Sequence, residues 1–321
     1  MNATVVKFLK ISIPLILGVF LIYYSYSKFS EQQLEEIQFH FKNANYGIVF
    51  LSVLLSVISH FLRAYRWQFM LEPLGYQPKL ANSFMAINIA YLMNIFIPKS
   101  GEISRGIILD KYENVPFKKG FGTIISERVV DLIFLLGFTV LALILQFDVL
   151  YNYLIDKIPV SKIITAFVIL FVLAIIGFLF LKYSKSNLQK KINEFYQGLK
   201  EGVLSILHMR KKGAFILLSC IIWGLYILSF YTAFQALEET SVVPMTTIVI
   251  AFVVGSFTFA FTNSGFGFYP YFVAGILVIF NIPETIGTAF GWIVWTSNIA
   301  SIVFFGALSF LLLPLYNKQK L

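Results

Sequence analysis

Charge is scarce in this sequence. Asp, Glu, Lys and Arg make up 13% of its 321 residues, against 58% hydrophobic residues, whereas a soluble domain carries about 25% charge. Cysteine is almost absent: Cys220 stands alone, which excludes an intrachain disulfide or a thiolate metal site. It lies in an apolar run and reads as inert packing. The three histidines, His40, His60 and His208, share neither a helical face nor a metal-ligand spacing, so no zinc site is expected, and no cofactor. No Gly-rich phosphate loop ending in Lys-Ser or Lys-Thr occurs, which argues against direct ATP hydrolysis. Nothing in the chain calls for a nucleic-acid partner.

Long apolar runs take the place of what is missing, and mean hydropathy is +0.80. A membrane-crossing helix needs roughly 20 apolar residues. Candidates are Ile11–Tyr26, Tyr46–Leu62, Gly120–Leu145, Val160–Leu181, Ala214–Phe234 and Ile286–Leu313. The first resembles a signal peptide but has no small-residue cleavage site before Ser27, so it reads as a retained anchor. Two further stretches are interrupted: Leu80–Ile97 by Pro98-Lys99-Ser100-Gly101-Glu102, and Met245–Phe280 by the run Asn263 to Pro270. The expected fold is an all-α polytopic membrane bundle, with no room within these runs for a soluble catalytic domain.

Loop charge sets the expected orientation, because Lys and Arg gather on the cytoplasmic side. The linker Lys182–Gly213 is rich in Lys and is placed inside, as are the loops around Arg63, Arg66, Lys79, Lys118 and Lys119. Both ends of Leu80–Ile97 then face the cytoplasm, which makes that stretch a re-entrant hairpin. Met245–Phe280 either re-enters from outside or crosses twice. Both termini are expected to be cytoplasmic. The plan repeats with opposite hand, as halves 1–150 and 159–321 of a single transmembrane domain, an inverted repeat of the kind common in transporters. Ser30 and Gln33 have capping-box spacing before a short surface helix. The linker's apolar stripe, from Leu188 to Ile206, fits a basic amphipathic helix on anionic lipid.

Charges inside spans mark the candidate site. Glu127, Arg128 and Asp131 fall within an apolar run, where each formal charge costs about 2.5–3.5 kcal/mol on insertion scales. Such groups survive by facing a bundle interior and pairing. One division of labour has Arg128 meeting a lipid phosphate while Glu127 and Asp131 neutralise it between turnovers; a structural ion-pair network is the alternative. Arg105 follows the first break, where a half-helix N-terminus favours anions and Arg can grip phosphate in a fork. Glu102 could pair with Arg105 or Lys99. Arg63 and Arg66 read either as site residues or as snorkelling anchors, with Trp67 in an interfacial belt. At the second break Asn263 and Ser264 offer neutral donors and acceptors, and Gly265 and Gly267 permit a sharp turn. Trp292, Trp295 and Asn298 read as packing.

The order Arg63-x-x-Arg66-Trp67, Pro98-x-x-Gly101-Glu102-x-x-Arg105, Glu127-Arg128-x-x-Asp131, then Asn263-Ser264-Gly265-Phe266-Gly267, resembles the lysylphosphatidylglycerol synthase transmembrane-region family. That family is the flippase-like portion of the multiple peptide resistance factors. The resemblance runs from about Tyr46 to Leu312, and Lys99-Ser100 stands where a glycine pair is common. It implies translocation of phospholipid, or of a related anionic or aminoacylated lipid, across a bacterial inner membrane. The soluble aminoacyl-transfer domain is not represented, so lysine transfer is not implied. Expected partners are membrane phospholipids, a separate lipid-modifying enzyme, and further copies of the chain. Two other readings stand beside it: an integral membrane transferase using Glu127 or Asp131 as general base, and a non-catalytic partner of a lipid-modifying enzyme.

Overall fold

A computed structural model of the protein describes residues 16–97, 99–149, 209–262 and 264–318. The expected span Val160–Leu181, nearly all of the basic linker, His208 and Asn263 lie outside the described residues. Every helix and strand assignment among those described is helical, and the chain is an all-α polytopic membrane protein. The helices are α1 (Ile16–Ser27), α2 (Glu31–Asn43), α3 (Tyr46–Leu71), α4 (Leu80–Phe96), α5 (Ser100–Glu113), α6 (Phe117–Leu145), α7 (Lys212–Phe234), the single turn α8 (Glu238–Ser241), α9 (Met245–Phe261), α10 (Phe268–Ile279) and α11 (Glu284–Tyr316). Among these, α3, α6, α7 and α11 are long and apolar enough to cross a membrane. Their outward faces carry bare apolar side chains such as Phe50, Ile144 and Leu311, as a lipid-facing surface requires.

Local sequence signals set the helix ends. Ser30 and Gln33 close a full capping box on α2. Asn45 caps α3 by accepting from the amides of Gly47 and Ile48. Prolines 116, 244 and 283 sit immediately before α6, α9 and α11, where a missing N–H costs nothing. One boundary departs from expectation. α3 continues nine residues past Leu62, so Arg63, Arg66 and Trp67 are helix interior rather than a loop. Counting charge as a stop signal ended the span too early, because those charges are paired inside the bundle.

The bundle has a basic end and an acidic end. At the basic end the Nζ of Lys211 lies 3.0 Å from the Glu72 carboxylate, and Asn317 after α11 exchanges side-chain hydrogen bonds with Asn82 at the start of α4. At the acidic end the Asn45 amide donates to the Ala236 carbonyl. α3 and α7 run antiparallel, joined midway by a reciprocal Ser52–Ser229 pair.

Between the long helices sit two broken hairpins. The first, α4 and α5, closes at its base through Asn82 and Glu113 and at its tip through the Gly101 amide, which donates to Asn94 Oδ1 at 2.7 Å. A Cβ at Gly101 would fall 2.3 Å from the Ala90 carbonyl oxygen, so the helices touch backbone to backbone. The second, α9 and α10, breaks at Thr262–Gly267, and Tyr269 of α10 packs back on Gly255 and Phe259 of α9. The first hairpin starts and ends at the basic end, the second at the acidic end. The stretch Met245–Phe280, which charge alone left open, therefore turns back on itself. Both hairpins lie on α11: Leu92 of α4 against Gly306, and Pro270 of α10 against Gly291. Helices in lipid associate through close packing of small residues, and α11 supplies those residues to both hairpins.

A buried arginine–carboxylate cluster

Glu127 and Asp131 are one helical turn apart on α6, and Arg63 and Arg66 nearly one turn apart on α3. The two faces meet. Arg63 Nε donates to Glu127 Oε1 and Arg63 Nη2 to Asp131 Oδ2 at 2.6 Å, so one guanidinium bridges both acids. Arg66 Nη2 reaches Asp131 Oδ1 at 2.9 Å and Glu127 Oε1 at 3.3 Å. From the first hairpin, Arg105 Nη2 donates to Glu127 Oε2 at 2.8 Å. Glu127 is fully buried, and the three arginines are at most 4% exposed.

Neutral groups complete the shell. Arg63 Nη1 donates to the Tyr91 hydroxyl at 2.8 Å and reaches Tyr226 at 3.5 Å. Arg66 Nη1 donates to Ser219 Oγ at 2.9 Å. The Arg105 guanidinium lies 4.0 Å from the centre of the Trp67 ring, and Trp67 Nε1 donates to Thr123 Oγ1 at 2.8 Å. Side chains from α3, α4, α5, α6 and α7 thus converge on two carboxylates. Glu127 lies ten residues into α6, about 15 Å from its basic-end start at a rise of 1.5 Å per residue. Both arginine snorkelling and the interfacial-belt placement of Trp67 are overturned: all three side chains point into the core, with Trp67 fully buried.

At the edge of the cluster the burial ends. Arg128 is half-buried and pairs with Glu102 at 3.2 Å, its Nη1 lying 3.8 Å from Asp131 Oδ2. Glu102 therefore pairs with neither Arg105 nor Lys99. Glu127 is neutralised by arginines of α3 and α5 rather than by its neighbour Arg128. The cluster and its edge hold four guanidinium groups and three carboxylates, a formal charge of +1. Arg66 Nε and Arg105 Nε have no hydrogen-bond partner although buried, whereas Arg128 Nε is the atom that faces Glu102. Desolvating an ion costs several kcal/mol, which only complete partnering repays. A surplus cation with open donors is therefore a place where an anion would be stabilised, and phosphate matches guanidinium geometry.

The residues of the second break stand elsewhere. The Ser264 carbonyl accepts from Trp295 Nε1 at 2.9 Å, giving Trp295 a tip-holding role beyond packing. Gly267, at φ +71°, lies against Gly18 of α1, where a Cβ would fall 2.3 Å from the Gly18 carbonyl oxygen. Gly265, at φ +75°, lies beside Trp295 and Tyr269. Sequence reasoning missed Tyr91, Tyr226, Ser219 and Thr123, whose roles depend on helix packing that no local motif encodes. Cys220 is exposed on the outer face of α7, not packed. Among the described residues no group of His, Cys, Asp and Glu could hold a metal ion.

Comparison with known proteins places this arrangement in context. The profile described as lysylphosphatidylglycerol synthase TM region matches residues 11–306. A UPF0104 membrane protein of Methanocaldococcus jannaschii is 25% identical over 273 residues, covering 77% of this chain and 79% of that protein. The glycosyltransferase AglD of Haloferax volcanii is 30% identical over 96 residues, which are 30% of this chain and 15% of AglD. No solved structure matches.

Proposed function

The chain belongs to the lysylphosphatidylglycerol synthase TM region family, and from that premise we propose that it carries a phospholipid, or a related anionic or aminoacylated lipid, between membrane leaflets. The observation that carries this reading is the buried cluster with a surplus positive charge and two unpartnered guanidinium N–H groups, on Arg66 and Arg105. A lipid phosphate approaching from the bilayer meets Arg128 first, because Arg128 is the exposed member. It displaces Glu102 from that guanidinium and then gains the open donors of Arg105 and Arg66. Glu127 and Asp131 hold the arginines in place and keep the empty site from carrying a larger net charge.

The architecture supports the same reading. The order long helix, broken hairpin, long helix occurs twice, in α3–α6 and in α7 with α9–α11, with the second unit inverted relative to the first. We take these units as the two halves of an inverted repeat, whose hairpins rock against α11 to open the site to alternate leaflets. The basic end is taken as cytoplasmic, which puts the C-terminal end of α11 inside a plasma membrane. Membrane phospholipids are then the partners, and a separate lipid-modifying enzyme would supply an aminoacylated substrate.

A second reading draws on the similarity to AglD: the cluster holds the phosphate of a lipid-linked sugar for a transferase. One experiment separates the two. The full chain in liposomes is given labelled phosphatidylglycerol in one arm and a sugar-bearing polyprenyl phosphate in the other, and arrival in the opposite leaflet is measured. Translocation of phosphatidylglycerol, lost in Arg128→Gln, is expected. Retention of the polyprenyl phosphate by the purified chain with movement of neither lipid favours the second reading, and the absence of both movement and retention overturns both readings.

A further inference from the structure

A cavity of about 490 Å³ lies between α1, α10 and α11. Its lining includes no member of the arginine–carboxylate cluster. Phe272 and Ile276 of α10 and Ile22 of α1 provide apolar walls, and Lys28, Glu284 and Trp292 provide a polar rim. Lys28 and Glu284 are both exposed, and among the described residues no ion pair joins them. They form one cation and one anion at the same cavity, and Lys28 Nζ lies 4.1 Å from the centre of the Tyr24 ring.

Gly275 gives a second, independent observation. On the face where α10 meets α11, missing side chains serve contact: a Cβ at Gly291 would strike Pro270 at 2.8 Å, and one at Gly287 would meet Ala274 at 3.1 Å. Gly275 lines the cavity instead, and a Cβ there would meet nothing within 4 Å. A glycine in a helix costs about 0.5–1 kcal/mol relative to alanine. Here no packing offsets that cost, and Gly275, itself exposed, leaves that part of the cavity wall without a side chain.

We propose that this cavity holds one zwitterionic glycerophospholipid, with its phosphate at Lys28, its ammonium at Glu284, and an acyl chain along Phe272 and Ile276. The rim has no net charge, unlike the surplus cation of the buried cluster, so it matches a head group whose own charges cancel. The volume falls in the range of ligand pockets, about 300–1,000 Å³, enough for a head group and the start of a chain whose remainder stays in the bilayer. Lys28 is held in its charged form: its pKa is raised chiefly by the Tyr24 hydroxyl, with Tyr271 and Glu284 adding smaller contributions.

The test reads binding, so it is independent of translocation. The full chain, purified in detergent, is offered equimolar phosphatidylethanolamine and phosphatidylglycerol of matched chains, and retained lipid is identified by native mass spectrometry. Wild type is expected to retain phosphatidylethanolamine severalfold over phosphatidylglycerol. Lys28→Gln and Glu284→Gln, both at exposed positions, should each lower that retention severalfold, and Gly275→Leu should lower it further by placing a side chain in the cavity. Phosphatidylglycerol retention should persist in all three. Equal retention of the two lipids by wild type, or phosphatidylethanolamine retention unchanged in the three variants, overturns the proposal.

Discussion

The two hairpins do the same geometric task by different physical means. The first is fixed by polar contacts: Arg105 on Glu127, Gly101 on Asn94, and Asn82 with Glu113. The second is fixed mainly by shape, with Gly267 seated on the backbone of α1 and Gly291 on Pro270, beside hydrogen bonds from Trp295 to the Ser264 carbonyl and from the Gly265 amide to Thr262 Oγ1. Polar contacts inside a membrane protein are directional and can exchange with a polar ligand. Close packing offers a ligand nothing to replace. The first hairpin is thus held by contacts of the kind a polar ligand can exchange with, and the second chiefly by close packing.

The strongest way to break the comparison is to remove the hub of the first region. Glu127→Ala leaves Arg63, Arg66 and Arg105 around a missing counter-ion. Truncating one partner of a buried pair costs about 3–5 kcal/mol, and three arginines share this one. The denaturation midpoint of the purified protein in detergent should fall accordingly. A loss below about 1 kcal/mol, the scale of exposed pairs, would mean that the cluster does not hold the first hairpin.

The matching test of the second region is Gly267→Ala. The added methyl meets the Gly18 carbonyl, and the residue sits at φ +71°. Overpacking costs about 1–3 kcal/mol, and a non-glycine residue in the left-handed region adds about 1–2 kcal/mol. A cysteine pair at exposed positions of α1 and α10 should also cross-link less efficiently as α1 lifts away. Unchanged stability and cross-linking would mean that α1 does not seat on the break.

Much of this contrast was legible in the sequence. Pro98 to Glu102 and Asn263 to Pro270 marked both breaks, and the pattern of basic loops indicated that both ends of the first hairpin lie together. Charges in an apolar run marked Glu127 and Asp131. The partners were not legible. Arg105 is 22 residues from Glu127 in the chain and Arg63 is 64, so their pairing follows from α5 and α3 packing on α6, which no local spacing reports. Charge also misled: Arg63 and Arg66 read as the end of a span because, unpaired, they would be. Nor did the spacing report that Arg128 stands at the edge of the cluster, paired with Glu102.

A smaller effect sharpens the account of the second tip. Trp295→Phe keeps an aromatic ring beside Phe266 but removes the donor to the Ser264 carbonyl. A neutral hydrogen bond contributes about 1 kcal/mol net, so the denaturation midpoint should move by that order. A loss nearer that of Glu127→Ala would show that the second tip, too, depends on polar contacts, and the contrast between the hairpins would fail.

The smallest stability effect carries the most specific functional expectation. Arg128 and Glu102 are partly exposed, and such pairs are worth about 0–1 kcal/mol. Glu102→Gln should therefore leave the denaturation midpoint almost unmoved. Its effect on ligand should have a definite sign. Glu102 competes with an incoming phosphate for Arg128, and one of its own oxygens already lacks a hydrogen-bond partner. Neutralising it removes the competitor and its repulsion, so retention of phosphatidylglycerol should rise, whereas Arg128→Gln should lower it. If both variants lower retention alike, Glu102 positions the lipid rather than guarding the arginine. The first hairpin would then contribute a fixed wall instead of an exchangeable contact, as the second one does.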